Sequence, residues 1–306
     1  MERVPQSVPH NEIDAAILGA LPSGGVFAVG GRVRDEVLAE LGRLNPEYDP
    51  PNLDYLVTGL TVEQIIKALA PLGHADFVGA SFGVIKLATR GQIVDIALPR
   101  SERSTGTHHR DFEVKFGPDI AIEDDLARRD FRMNMMARDL RSGEIVDPFG
   151  GRDDLINARL DALTADAFVE DPLRVLRGAQ LSARFGVAAT ASTLDAMRTA
   201  SDLIPTVAAE RVAEELTKLL VKAHNPSVGF ELLREVSALH HVLPELMEGW
   251  QVEQNEFHAY TVYYHSLACC DYAEEDARPR DLAVRLAALL HDVGKPRTKE
   301  GPHFYR

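Results

Sequence analysis

A pair of glycines, Gly30 and Gly31, stands between an apolar run and a stretch with helical character. This order predicts a strand, a tight turn and the start of a helix. A turn without side chains lets a phosphate approach the backbone, and a helix N-terminus offers unpaired N–H groups at its positive dipole end. Arg32 and Arg34 add positive charge at the same place. The segment is therefore typical of a phosphate-binding site.

Acidic residues on two further predicted strands supply the other half of a phosphoryl-transfer site. Asn52 and Asp54 are two residues apart, so their side chains are expected to face the same side of a strand. Asp95 lies inside an apolar strand, where a lone carboxylate is costly unless it is paired or bound to a metal. Clustered carboxylates hold the divalent cations that orient a triphosphate and activate a hydroxyl. The glycine pair alone also fits an ordinary turn, with Asp54 as a surface acid.

The segment from Asp125 to Asn134 carries a second group of polar residues. Arg129, Asp130 and Asn134 fall within about two helical turns, a spacing that suits a phosphate and a ribose. The same residues also fit a solvated helix face whose charges pair with one another.

A third group follows at Asp171, Arg174 and Arg177. Asp171 and Arg174 are three residues apart, which predicts that they share a helix face. Their carboxylate and guanidinium have the acceptors and donors needed to read a nucleotide base. An exposed ion pair of little energetic effect is the alternative interpretation.

Histidines mark a fourth group. His265 precedes the pair His291-Asp292, which stands in the context Leu-Leu-His-Asp-Val-Gly-Lys-Pro. Adjacent histidine and aspartate side chains can present a nitrogen and an oxygen to one divalent cation. The adjacent Cys269 and Cys270 are expected to pack within a helix.

The predicted secondary structure that positions these groups differs between the two halves of the chain. Residues 1–150 are predicted to be mixed α/β, and the polar residues 102–111 a mobile loop near the site. Thr61 is a plausible N-cap for a helix ending at Leu69, with Gln64 at the capping-box position. The predicted strands are Val26–Val29, Leu53–Val57, Gly83–Thr89, Ile93–Leu98 and Glu144–Val146.

From about residue 151 onward the periodicity favours helices. Pro172 stands at a favoured first-turn position, and a helical region from Val252 onward carries several histidines. The other predicted helices are Asp171–Phe185, Thr190–Ala200, Ala208–Lys222 and Pro226–Val236.

Composition limits the possible classes of protein. A chain of 306 residues is long enough for two or three domains. The net charge of -14 argues against a broad, nonspecific nucleic-acid binder but allows a basic groove on an acidic body. Two adjacent cysteines cannot form a disulfide framework, which fits a reducing cytoplasm. No apolar run is long enough to predict a membrane span, and no protein partner is indicated.

Together, and in this order, the segments resemble the motifs of the class II tRNA nucleotidyltransferases, which are the bacterial CCA-adding enzymes and their CC-adding, A-adding and poly(A) polymerase relatives. The glycine turn resembles their first motif, and the region around Arg129 and Asp130 their ribose-binding motif. Asp171 and Arg174 resemble the nucleotide-selecting motif. Asp147-Pro148-Phe149-Gly150-Gly151 resembles the hinge segment, and Glu210-Arg211-Val212 with Glu214-Glu215-Leu216 resembles the last motif.

The resemblance implies a fold and domains. It implies a polymerase-beta-like α/β nucleotidyltransferase head over residues 1–150, then an all-α neck over 151–225. A helical body with the N-terminal part of an HD-type phosphohydrolase domain would follow over 226–306. That HD site is incomplete as given, because the family also needs a later aspartate; His303 is the candidate for its next histidine.

The resemblance also implies a mechanism. Asp54 and Asp95 would bind two Mg²⁺ ions, and Gly30, Gly31, Arg32 and Arg34 would hold a triphosphate. Asp130 and Asn134 would lie at the ribose with Arg129 nearby, and Asp171, Arg174 and Arg177 would belong to the nucleotide-selecting site. The partners would be CTP, ATP and the acceptor arm of tRNA. Another divalent metal, separate from the two Mg²⁺ ions, would bind to His265, His291 and Asp292 of the HD site.

One departure affects the implied activity. The family pattern is acid-any-acid ending at Asp54, but position 52 is asparagine, which offers an oxygen without a negative charge. We therefore expect weakened Mg²⁺ binding and slow turnover, whether Asn52 is a natural variant or an inactivating substitution. Arg132 and the segment Leu160-Asp161-Ala162 also differ from the pattern, which leaves CCA, CC, A or poly(A) addition open.

Two other functions remain open at this stage. One is an HD-type metal phosphohydrolase with an RNA-binding N-terminal half. The other, suggested by Asn52, is a tRNA-binding protein without catalytic activity.

Overall fold

The computed structural model describes residues 11–44, 53–78, 83–104, 112–254, 259–273, 280–300 and 303–304. The chain forms two compact units that divide between Asn157 and Ala158. The division lies beyond the predicted boundary at 150, because helix α5 (Gly151–Ile156) packs against helix α2 (Gly31–Glu40) of the first unit.

The first unit is built on a mixed sheet. Its strands, among the described residues, are β1 (Gly25–Val29), β2 (Asp54–Thr58), β3 (His74–Val78), β4 (Val84–Thr89), β5 (Gln92–Ala97), β6 (Arg100–Ser104), β7 (Phe112–Phe116), β8 (Ala137–Asp139) and β9 (Ile145–Val146). Its other helices are α1 (Glu12–Ala20), α3 (Val62–Leu69) and α4 (Ile122–Ala127), with a 3-10 turn at Arg132–Asn134.

Seven of these strands form one sheet in the order β3-β4-β5-β2-β1-β8-β9. β2 and β5 run parallel, and the other neighbouring pairs of this sheet are antiparallel. Fully buried side chains such as Val26, Leu56 and Ile96 form the core, against which Val33 and Val37 of α2 are also buried. Burial of this apolar area is the main source of stability for such a sheet.

The sequence predictions for this unit are largely confirmed. All five predicted strands are present, each with ends within one residue of the prediction. Thr61 caps α3, and its capping box with Gln64 is present. The prediction of a loop over 102–111 is wrong for residues 102–104. They belong to β6, which pairs with β7 because regular backbone hydrogen bonding outweighs the polar composition. Residues 105–111 lie outside the described part of the chain.

The second unit is helical. Its helices, among the described residues, are α6 (Asp166–Glu170), α7 (Leu173–Phe185), α8 (Ala191–Ala200), α9 (Ala209–Lys222), α10 (Pro226–Glu235), α11 (Leu239–Val242), α12 (Pro244–Glu248), α13 (Val262–Tyr272), α14 (Leu282–Leu290) and α15 (Lys295–Thr298), with a 3-10 turn at Ser201–Thr206. Two short strand pairs are β10 (Arg159–Leu160) with β11 (Ala188–Ala189), and β12 (Lys299–Glu300) with β13 (His303–Phe304).

The predicted helices of this unit are confirmed to within two residues at each end. Helix α10 packs on α7, so the predicted boundary at 225 does not separate two compact units. Cys269 and Cys270 both lie in α13, as expected. In the described residues no helix has the length and apolar composition required to cross a membrane.

Candidate active site

Two aspartates lie side by side on neighbouring strands in the sheet of the first unit. Asp54 and Asp95 are paired in register on the parallel strands β2 and β5. Burial raises the pKa of Asp54, the negative charge of Asp95 raises it further, and the charges of Arg129, Arg32 and Lys86 act in the opposite direction. Two like charges at this spacing are stabilised by a cation, so the pair is a suitable seat for a divalent metal.

A lysine that no sequence motif marks, Lys86, forms an ion pair with Asp95. Lys86 stands opposite Asp95 across β4 and β5, and its Nζ donates to Asp95 Oδ1 at 2.8 Å. The ammonium group thus places one positive charge at the two carboxylates. Lys86 reaches Asp95 because of the register between β4 and β5. The alternation of buried and exposed residues within β4 could not reveal this partner.

Asn52 lies outside the described residues. Its part in metal binding therefore stays a prediction.

The glycine turn connects β1 to α2. Gly30 has φ +62° and ψ -126°, a conformation suited to glycine, and a Cβ atom there would overlap Arg129 Nη1. Its N–H donates to the Met136 carbonyl at 3.0 Å, while the N–H of Arg34 bonds to the Gly30 carbonyl. Tyr55, the residue after Asp54, pairs with Ala28 two residues before Gly30. The predicted phosphate turn and the carboxylate pair therefore lie next to each other.

Replacing Gly30 by alanine tests this turn. We expect the free energy of unfolding to fall by about 1–3 kcal/mol because of backbone strain, and binding of inorganic pyrophosphate to weaken as Arg129 is displaced. Urea denaturation and calorimetry measure the two effects. Gly42→Ala is the matched control, since Gly42 has φ +68° but open space around it. Equal pyrophosphate affinity in both variants would contradict a phosphate-binding role.

Arg32 is held inside the protein. Its side chain is buried and donates to both carboxylate oxygens of Asp14, at 2.9 and 2.6 Å. It also donates to Glu36 at 3.0 Å and lies over the ring of Tyr55. These contacts favour a supporting role under the glycine turn, whereas the sequence predicts direct contact with a triphosphate.

Arg34 belongs to a buried network that joins two of the predicted groups. It donates to Asp35 at 2.8 Å and to Asn134 Oδ1 at 2.7 Å. Asn134 in turn donates to Asp130 Oδ1, which also accepts the N–H of Phe131, both at 2.8 Å. The structure thus brings Arg34 of the glycine segment together with the pair predicted for a ribose.

The segment 125–134 is not the continuous helix that its spacing suggests. Helix α4 ends at Ala127, and a turn leads into the 3-10 segment. The buried Asp125 holds this turn, because it accepts from Arg128 at 2.7 Å and from Arg129 at 3.0 Å. Burial alone would raise the pKa of Asp125, but the charges of Arg129 and Arg128 outweigh it and lower the pKa.

Asp171 and Arg174 do not share a helix face, contrary to the prediction. Asp171 follows the end of α6 in extended conformation, whereas Arg174 lies in the first turn of α7. Asp171 is held by Arg211 of α9, whose Nη2 is 3.3 Å from both carboxylate oxygens. Arg177 Nε lies 3.7 Å from Glu215 of the same helix. Helix α9 therefore holds both Asp171 and Arg177.

His265, His291 and Asp292 also come together in the second unit. The Nε2 atoms of His265 and His291 lie 3.6 and 3.2 Å from Asp292 Oδ2. The side chain of His303 lies outside what the structure describes.

Comparison with known proteins identifies this arrangement. Residues 26–161 match the family model described as "Poly A polymerase head domain", and residues 188–249 match "Probable RNA and SrmB- binding site of polymerase A". The multifunctional CCA protein of Aromatoleum aromaticum is 40% identical over 287 residues, covering 92% of this chain and 66% of the relative. The multifunctional CCA protein of Cupriavidus necator is 39% identical over 283 residues, covering 89% and 64%.

Solved structures show the same fold. The Bacillus stearothermophilus CCA-adding enzyme in complex with CTP has a TM-score of 0.67 at 23% identity, covering 93% of this chain and 64% of that one. A tRNA nucleotidyltransferase complexed with a primer tRNA and an incoming ATP analogue has a TM-score of 0.63 at 23% identity, covering 90% and 75%.

Fold and site define a nucleotidyltransferase head followed in sequence by a helical unit. The chain belongs to the class II tRNA nucleotidyltransferase family, which includes the CCA-adding enzymes and the poly(A) polymerases. It spans just under two thirds of the length of the curated relatives cited above.

Proposed function

We propose that this chain transfers CMP, AMP or both from CTP and ATP to the 3′ end of tRNA and releases pyrophosphate. The observation that carries the proposal is the pairing of Asp54 with Asp95 beside the glycine turn at the start of α2. The names of the relatives support it, since they are CCA proteins and CCA-adding enzymes in complex with CTP or ATP.

The residues present fit a divalent metal. Asp54 and Asp95 offer carboxylate oxygens whose mutual repulsion a cation relieves, and Asn52 would add an amide oxygen. Bound Mg²⁺ would supply neutralisation of the triphosphate and a lower pKa for an attacking hydroxyl.

The other residues bind and orient the substrates. The turn at Gly30 and the first N–H groups of α2 would hold the triphosphate, with Arg129 adding positive charge. Asp130 and Asn134, ordered by Arg34, would position the ribose. The tRNA 3′ hydroxyl would attack the α-phosphorus while its proton passes to solvent, and the bond to the pyrophosphate oxygen would break.

We assign the choice between CTP and ATP to residues of the second unit. The Asp171 carboxylate can accept from the amino group of cytosine or adenine, and the Arg174 guanidinium can donate to a ring nitrogen or carbonyl. Arg211 would fix the direction of the Asp171 carboxylate. The helical region would hold the acceptor arm of tRNA through shape and backbone contacts.

Incorporation of labelled nucleotide tests the function. CTP and ATP are supplied separately and together to tRNAs that lack one, two or all three of the terminal nucleotides. Growth of the tRNA by the missing nucleotides supports the proposal, and the pattern separates CCA, CC, A and poly(A) addition. No incorporation by either the chain or its Asn52→Asp variant would overturn it. Binding of tRNA without transfer in both would indicate the non-catalytic alternative.

Asn52→Asp is expected to raise turnover. A third carboxylate adds one negative charge at the metal seat, and we expect turnover to rise by about tenfold to a hundredfold, about 1.4–2.8 kcal/mol in transition-state stabilisation. Affinity for CTP in the absence of metal should change little, because the triphosphate turn is unaltered. Single-turnover transfer over a Mg²⁺ titration measures the gain. Equal turnover in both chains would show that Asn52 does not limit catalysis.

A further inference from the structure

A thiol lies beside the two histidines of the second unit. Donor atoms of His265, Cys269 and His291 all lie within 4.8 Å of one another. His265 and Cys269 are four residues apart on α13, which puts both on one face, and His291 caps the C-terminus of α14, which packs against α13. The resemblance implies a donor set of nitrogen and oxygen here, and it does not include the sulfur.

Three separations within the group are close to those around a tetrahedral zinc ion. Cys269 Sγ is 3.6 Å from His265 Nε2, and Asp292 Oδ2 is 3.6 and 3.2 Å from the Nε2 atoms of His265 and His291. With Zn–N near 2.0–2.1 Å and Zn–S near 2.3 Å, the edges of a tetrahedron around zinc measure about 3.3–3.6 Å. These three separations match such edges, and the ligand atoms of His265, Cys269 and His291 are close enough together to share one ion.

The orientation of His291 adds an independent observation. Its Nδ1 lies 2.8 Å from the Ala288 carbonyl oxygen, which can only accept a hydrogen bond. Nδ1 therefore carries the hydrogen, and in the neutral ring Nε2 keeps its lone pair toward the cluster. A second ring nitrogen bonded to a backbone carbonyl is the usual support for a metal-binding histidine.

The carboxylate of the group is already engaged. Lys295 Nζ donates to Asp292 Oδ2 at 2.6 Å and to Gln254 Oε1 at 2.8 Å. This ammonium neutralises the charge that a hard cation such as Mg²⁺ would seek from Asp292. The thiolate of Cys269 would then be the main negative donor, and thiolate ligands favour Zn²⁺ over harder ions.

We propose that Cys269 is a metal ligand and that it makes this group, with His265 and His291, a zinc-selective centre. The site does not include the nucleotidyltransferase residues of the first unit, so this proposal is tested independently of the proposed function.

Cobalt substitution tests the sulfur directly. The full chain is freed of metal and titrated with Co²⁺, and we expect a thiolate-to-cobalt charge-transfer absorption with intense visible bands of a four-coordinate ion. Cys269→Ser should remove the charge-transfer absorption and weaken Zn²⁺ binding by at least about tenfold. Cys269 is partly exposed, so this variant is expected to fold.

Two matched variants control the experiment. Cys270→Ala removes the adjacent buried thiol, and His241→Ala alters the separate group formed by Asp202, His240 and His241. Both should keep the absorption of the parent chain. Cobalt bound without a sulfur band, no cobalt bound, or a band that survives Cys269→Ser would each overturn the proposal. His291→Ala, which retains the thiol, should weaken Zn²⁺ binding if the ion is shared.

Discussion

Replacing Asp54 by asparagine is expected to reduce nucleotide transfer by at least about 1,000-fold, several kcal/mol in transition-state stabilisation. The substitution keeps the shape of the side chain but leaves Asp95 as the remaining carboxylate of the pair on β2 and β5. Labelled CTP and ATP with a tRNA that lacks its terminal nucleotides measure the loss. The substitution is made both in the chain with Asn52 and in the Asn52→Asp variant. The higher starting rate expected of that variant allows a larger fold-loss of transfer to be measured.

Stability separates a catalytic role of Asp54 from a structural one. The pKa of Asp54 is raised by burial and by Asp95, so its charged form is disfavoured in the folded state. A neutral side chain should therefore leave the melting temperature unchanged or raise it. Asp76→Asn on the exposed strand β3 is the control and should change neither transfer nor stability. Loss of transfer together with a lower melting temperature would point to a structural role instead.

Removing the buried carboxylate of Asp14 is expected to lower the free energy of unfolding by about 3–5 kcal/mol. Asp14 is fully buried, accepts two hydrogen bonds from Arg32 and accepts a third from Tyr55 at 2.6 Å. In Asp14→Ala the guanidinium remains buried with Glu36 as its remaining anionic partner among the described contacts. Urea denaturation followed by circular dichroism measures the loss.

The same carboxylate gives a pH dependence. Burial would raise the pKa of Asp14, but hydrogen bonds from Arg32 and Tyr55 outweigh it and lower the pKa. The contribution of Asp14 to stability is therefore complete above its unfolded pKa of about 3.9 and is lost as pH falls through the lowered folded value. The difference between parent and Asp14→Ala should be constant from neutral pH to about pH 5 and shrink below about pH 4.

A surface ion pair provides the control for Asp14. Asp76→Ala removes an exposed partner of His74 and should lower the free energy of unfolding by less than about 1 kcal/mol. Trp250, the only tryptophan of the chain, lies in the second unit, so its fluorescence follows that unit while circular dichroism follows both. If the urea midpoint of Asp14→Ala equals that of the parent chain in both signals, the Asp14–Arg32 pair does not contribute the expected 3–5 kcal/mol to the free energy of unfolding, which is about the loss for a broken buried ion pair.

Local patterns were sufficient for much of the fold. The five predicted strands, the cap at Thr61 and the main helices of the second unit depend on periodicity and nearby capping, which a sequence displays directly. Strand β3 was not predicted, because its edge position leaves its residues mostly exposed and without an apolar face. Helix α1 was also not predicted, although Asn11 and Asp14 form a capping box that could have revealed it.

The candidate site was less accessible to such patterns. A guanidinium beside two glycines suggests phosphate binding, and the sequence could not show that Arg32 is engaged by Asp14, 18 residues away. The same holds for Asp171, whose partner Arg211 comes from another helix, and for Lys86, which reaches Asp95 through strand register. Tertiary packing determines which partner each side chain has, and that partner determines whether the side chain binds substrate or supports a neighbouring residue. The spacing of residues in the sequence does not contain this information.

The parallel pairing of β2 with β5 has a consequence for how this head tolerates change. Asp54 and Asp95 are about 40 residues apart in sequence, yet their separation is set by the spacing between neighbouring strands, about 4.8 Å. The intervening chain supplies helix α3 and the strands β3 and β4, and these two strands form one edge of the sheet. Insertions and deletions in the loops of that edge can therefore accumulate over evolution, or be engineered to carry a label, while the distance between the two carboxylates stays fixed.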